Sequence, residues 1–89
     1  MFGRVKLKQA PSWEELAIEV ESLSDRRLKA LWPKRYLPAI QGIDGGKMFP
    51  GFIKLFSEDA ANSDWAGIRE LLPTFFIEVG KLKIPPPKF

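Results

Sequence analysis

Apolar residues recur along this chain at the spacing of helices. Trp13, Leu16, Ala17 and Val20 fall at i, i+3, i+4 and i+7, which places them on one helical face. Ser12 and Glu15 precede and open that face with the Ser-x-x-Glu spacing of a capping box, in which each side chain satisfies an unpaired backbone N–H. Glu14 and Glu15 also suit the positive end of the helix dipole. The spacing predicts a first helix over 12–22.

Ser24 reads as the cap of a second helix, with Leu23 before it and Leu28 after it forming a hydrophobic staple. Leu28, Leu31 and Trp32 share its apolar face, and Pro33 is expected to end or kink it near Trp32. Pro33 to Ile40 reads as a turn plus a short helical turn. Gly42 to Gly46 is the clearest loop, with an Asp-Gly pair suited to positive φ. Pro50 is preorganised for the first position of a third helix, along which Phe49, Phe52, Ile53 and Phe56 repeat the i, i+3, i+4, i+7 pattern. The stretch Ser57 to Ala61 is open between helix and loop. A fourth helix is expected after a cap at Asn62 or Ser63, with Trp65, Ile68, Leu71 and Leu72 on one side and an interruption at Pro73. Thr74 to Val79 either continues as a kinked helix to a C-cap at Gly80, the favoured reading, or becomes a strand, so that 74–84 is open between helix and strand.

The two ends read differently. Residues 2–8 alternate Val5 and Leu7 with Arg4, Lys6 and Lys8, the period of a half-buried strand. The tail Ile84-Pro85-Pro86-Pro87-Lys88-Phe89 suits polyproline II. The fold class that follows is mainly α: about four short, partly proline-broken helices with extended N- and C-terminal segments. Residues 1–84 form one small globular domain and 85–89 a proline-rich tail. The alternative is α+β, with Val5-Lys6-Leu7-Lys8 and Lys81-Leu82-Lys83-Ile84 paired as a two-stranded ribbon.

Composition narrows the chemistry. The chain has 89 residues, 45% of them hydrophobic, with three Trp and seven Phe, enough apolar material for one core. It has no Cys and no His, which removes disulfides, thiolate metal sites, the Cys nucleophile and the commonest general base. No apolar run approaches the ~18 residues that span a bilayer, and the N-terminus lacks the apolar stretch of a signal peptide, so the expected setting is the cytoplasm without a membrane partner. The net charge of +3 is small but unevenly spread. Residues 14–25 carry five acids and no base, residues 26–35 five bases and no acid.

The basic run offers Arg26, Arg27, Lys29, Lys34 and Arg35, with Tyr36 beside it, as a candidate partner-binding face. Basic residues among aromatics suit a nucleic-acid backbone and stacked bases. On a helical wheel, however, Arg26 lies opposite the apolar face and Arg27 and Lys29 flank it, as on an ordinary solvated surface. Trp32 reads as core. The glutamates of the first helix are explained by capping and solubility, since Glu15 and Glu19 lack the further oxygen ligands a hard metal needs. Gly42 to Lys47 fails as a phosphate loop: Gln41 stands where the first glycine must be and Met48 where Ser or Thr must be. Lys54 and Ser57 are a turn apart, but Lys54 lies off the apolar face and is an ordinary solvated cation.

No catalytic, metal or cofactor site emerges, and the expectation is a non-enzyme without cofactor. The leading functional reading is a protein-interaction module, of the type of small adaptors, assembly factors, inhibitors or phage-encoded accessory proteins. Its motives are the missing catalytic residues, the surplus of aromatic rings and the extended ends. The rings Phe49, Phe52, Phe56, Trp65, Phe75 and Phe76 read as core, and any of them that are exposed make an interaction patch. Pro85, Pro86, Pro87 and Phe89 are partner-contact candidates as a stiff docking arm, or else the tail folds back and Phe89 fills a notch on its own domain. The alternative function is an accessory nucleic-acid binder using the basic helix face.

Overall fold

The computed structural model describes residues 11–87. Helix α1 spans Trp13–Ser22 and is nucleated as expected: Ser12 Oγ accepts from Glu15 N–H, and Glu15 Oε1 accepts from Ser12 N–H at 3.0 Å. Its buried face carries Trp13, Leu16, Ala17 and Val20, and also Glu19. Helix α2, Asp25–Leu31, starts from Ser24, whose hydroxyl accepts from Arg27 N–H, and buries Leu28. Leu23 and Leu28, the expected staple pair, both lie in the core.

Pro33 does not end this arm. The chain passes through a π-helical turn, Trp32–Tyr36, into helix α3, Leu37–Gln41. A proline inside a helix lacks its N–H donor and its ring presses on the carbonyl four residues back. The wider i→i+5 turn, closed by Leu37 N–H donating to the Trp32 carbonyl, absorbs that clash. It also adds a residue to the turn, so Arg35 and Tyr36, adjacent in sequence, both face the core. Pro38 then falls in the first turn of α3, where a missing N–H costs nothing.

A short 3-10 segment, Ile43–Gly46, forms the expected loop, with Asp44, Gly45 and Gly46 at positive φ (48°, 62° and 81°). Helix α4, Pro50–Ala61, begins at Pro50 and continues through Ser57 to Ala61, which are helix and not loop. Helix α5, Trp65–Lys81, corrects three expectations. Its cap is Asp64, which accepts from Gly67 N–H at 3.0 Å, rather than Asn62 or Ser63. It runs unbroken through Pro73, because residues on both sides (Ile68, Leu72, Phe75, Phe76, Val79) are buried in the same core. At roughly 1.5–3 kcal/mol each, their burial outweighs the ~3 kcal/mol of an internal proline. Finally, the helix ends past Gly80, with Lys83 in the left-handed region. Gly80 instead stands where α5 passes Trp13: a Cβ there would lie 3.5 Å from the Trp13 Cβ.

The fold is mainly α, and among the described residues there is no strand. The expected segment at 2–8 and the tail's Phe89 lie outside the described residues. Lys81 is helical, which leaves the terminal ribbon without support. The centre of the molecule is α5. Helix α1 packs along it, with Trp13 against Phe76 at the C-terminal half of α5 and Leu23 accepting from Arg69 near the other end. Arg69 also pairs with Asp25, so one side chain ties the α1–α2 corner to α5. Helix α4 packs on the other flank through Phe52 and Phe56 against Phe75.

Candidate functional site

The apolar stripe of α4 divides between two environments. Phe56 is fully buried, while Phe52 stays 45% exposed. Phe49, Phe52, Phe56 and Phe75 form a continuous set of ring contacts, with centroids 5.0–6.2 Å apart for the pairs Phe49–Phe52, Phe49–Phe75, Phe52–Phe56 and Phe52–Phe75. This ladder continues outward into a groove of about 240 Å³ between α4 and α5. Phe49, Phe75 and Val79 supply its floor, and Phe52, Leu71 and Leu82 its exposed walls. Leu55 on α4 and Met48 in the loop before it extend the apolar surface beyond Phe52.

Helical spacing builds one wall directly. Leu71, Phe75, Glu78 and Leu82 stand at i, i+4, i+7 and i+11 of α5 and its C-cap, a strip about 16 Å long at ~1.5 Å per residue. Leu71 is 47% and Leu82 60% exposed. The groove's single carboxylate, Glu78, pairs with Lys81 one turn on, at 2.9 Å, so the rim carries little net charge. No group of three His, Cys, Asp or Glu residues stands together among the described residues.

The basic run is divided by the fold. Arg26, Arg27, Lys29 and Lys34 are exposed. Around α2, Arg26 and Lys29 share a face about 60° apart, while Arg27 points about 100° from Arg26 and about 160° from Lys29. Arg35 and Tyr36 are withdrawn from the surface, which corrects their assignment to that face. Arg35 is 8% exposed and grips Glu19 with Nε donating to Oε1 at 2.8 Å and Nη2 donating to Oε2 at 2.7 Å. Tyr36, fully buried, donates its hydroxyl to Glu19 Oε1 at 3.0 Å. Glu19 is therefore a structural anchor of the interior and not a solubilising glutamate. Burial opposes the charge on Arg35, but the hydrogen bonds and charge of Glu19 outweigh it and leave its pKa above the ordinary value. Burial, reinforced by the Glu19 charge, pushes the Tyr36 hydroxyl well above the ordinary tyrosine range.

The tail folds back as far as it is described. The Trp13 indole Nε1–H donates to the Ile84 carbonyl at 2.9 Å, and Ile84 packs half-buried against the core. Pro85 and Pro86 are exposed and Pro87 half-buried. Ile84 to Pro87 border a second groove, about 440 Å³, whose opposite wall is Trp13, Pro38, Ala39, Gly42, Ile43 and Asp44. No helix of the described residues is long and apolar enough to cross a membrane. No known protein family, curated protein or solved structure matches this chain.

Proposed function

We propose that this chain is a non-enzymatic protein-interaction module that receives an amphipathic helix of its partner in the groove between α4 and α5. The observation that carries the reading is the contiguous exposed apolar strip of Phe52, Leu55, Leu71 and Leu82 over a floor of packed phenylalanines. Contiguous apolar surface of this kind marks interaction sites. Its size selects the occupant. A standard interface between globular partners takes about 800 Å² and roughly 20–30 residues a side, far more than this strip offers. A volume of about 240 Å³ also falls below the ~300–1,000 Å³ of drug-sized ligand pockets. A strip of about three turns does suit a helix laying down apolar residues at i, i+4 and i+7.

The test is a capture from the native host, with nuclease, using a photo-crosslinker at Met48 and comparing the chain with its Leu71→Lys/Leu82→Lys variant. Both substituted positions are exposed, so the melting temperature should stay close to that of the parent. The expected result is a nuclease-resistant partner, crosslinked through an amphipathic segment and lost in the variant. An unchanged capture by the variant overturns the reading. So does a dimer of the isolated chain that the variant dissolves, which would make a second copy the occupant.

The second reading, an accessory nucleic-acid binder, is supported by the exposure of Arg26, Arg27, Lys29 and Lys34. A mobility shift at low salt that weakens steeply as salt rises would favour it. No complex with DNA or RNA at micromolar protein removes it.

A further inference from the structure

The tail forms one wall of the second groove, and the chemistry of its contact with the rest of the domain identifies what else the opposite wall would accept. Three consecutive prolines fix φ and remove three N–H donors, so the tail offers only carbonyls and apolar ring faces. The domain meets it with an indole N–H aimed at a carbonyl, Trp13 Nε1 to Ile84 O, and with an apolar wall of Pro38, Ala39 and Ile43. One aromatic side chain, Trp13, stands in this lining and supplies the donor; an indole N–H beside an apolar wall suits a polyproline II segment, which lacks donors of its own.

Two features leave room for a ligand other than the tail. About 440 Å³ stays open between the tail and the opposite wall, and Pro85 and Pro86 remain exposed. The wall also ends in Asp44, held outward at φ 48° and without an ion pair among the described residues. A carboxylate beside a proline groove favours a cation next to the prolines, and the tail's own sequence places Lys88 directly after them. We propose that this groove is a binding site for proline-rich segments carrying an adjacent Lys or Arg, partly filled in cis by residues 84–87 and fully available to a partner's segment once the tail is displaced. The site is independent of the α4–α5 groove.

The experiment uses the full ¹⁵N-labelled chain and a capped synthetic peptide of the sequence Lys-Ile-Pro-Pro-Pro-Lys-Phe. The Trp13 indole N–H resonance is the readout, assigned by its loss in Trp13→Phe. A tethered tail competes at an effective concentration of the order of millimolar. The intact chain should therefore need several millimolar peptide, and Ile84→Ala, which loosens the tail, should bind at least tenfold more tightly. Asp44→Asn should weaken this peptide several-fold but leave a version with both lysines replaced by Gln unaffected. Leu71→Lys/Leu82→Lys should bind it like the parent, which separates this site from the helix groove. An unmoved Trp13 indole in the Ile84→Ala chain at millimolar peptide overturns the proposal. Equal binding of a peptide with alanine in place of the prolines does the same.

Discussion

Arg35 closes its guanidinium fork on both carboxylate oxygens of Glu19, at 2.8 and 2.7 Å, inside the angle between α1 and the π-turn. Both residues are more than nine-tenths buried, and Tyr36 donates to the same carboxylate. A buried pair with its lone pairs satisfied adds little over a well-packed apolar pair, but removing one partner strands a charge. Glu19→Ala or Arg35→Ala should each cost about 3–5 kcal/mol. Glu19→Leu/Arg35→Met should cost far less than the sum of the two alanine variants. Urea unfolding of the four proteins measures this; additive losses would show that the two side chains are not coupled.

Tyr36 makes the same network visible in alkali. It is the only tyrosine, so the ultraviolet signal of phenolate reports it alone. Burial and the Glu19 charge raise its folded pKa above the unfolded value near 10. The sign follows: a raised pKa contributes stability that is complete below about pH 10 and is lost as pH rises toward the folded value. The native protein should show no phenolate at pH values where the urea-unfolded chain is already ionised, and the absorbance change should coincide with loss of helical circular dichroism. Phenolate appearing near pH 10 with helicity intact would place the ring in water.

Local chemistry was readable from the residues in order. Ser12, Ser24 and Pro50 act within three or four positions of themselves, and each begins a helix as expected. What escaped depends on partners far along the chain. Glu19 lies just outside the arc of Leu16 and Val20 on the α1 wheel, and only Arg35, sixteen residues on, makes its burial tolerable. Arg35 sits in a run of bases in which composition does not distinguish one cation from another. The π-turn that rotates it inward departs from the 100° per residue of a regular α-helix. Pro73 likewise carries a strong local preference that burial on both of its sides overrules. For the groove, the aromatic excess was the only available signal. Whether Phe52 or Phe56 faced water depended on how closely α4 approaches α5.

Asp64 and Gly67 are coupled at the start of α5. A Cβ on Gly67 would lie 2.6 Å from Asp64 Oδ2, while the Gly67 N–H donates to the same carboxylate. Glycine is ordinarily about 1 kcal/mol worse than alanine inside a helix. Here Gly67→Ala should gain nothing, because it pushes the cap aside. Asp64→Ala alone should cost about 0.5–2 kcal/mol. In that background, with no carboxylate to displace, Gly67→Ala should stabilise by about 1 kcal/mol. A full gain from Gly67→Ala in the parent chain would show that the cap accommodates the methyl group.

Trp13 and Ile84 decide where the domain ends. Through Ile84 the tail belongs to the fold: its carbonyl satisfies the Trp13 indole, and its side chain packs on the core. Beyond it, Pro85 and Pro86 are exposed and lack donors. Removing residues 85–89 should therefore change stability by less than about 0.5 kcal/mol, as for surface changes generally. Removing residues 84–89 takes away a hydrogen bond worth about 0.5–1.5 kcal/mol. It also removes a half-buried isoleucine worth about 1 kcal/mol, for a total near 2 kcal/mol. Trp13→Phe should lose the first contribution and keep most of the second, because the six-membered ring still packs on Phe76. Trp13→Ala should lose about 3–5 kcal/mol, since the ring is only 4% exposed. Chemical denaturation of these four variants orders them on one scale. If the shorter truncation proves as costly as the longer, the prolines themselves stabilise the fold, and the boundary lies beyond Ile84.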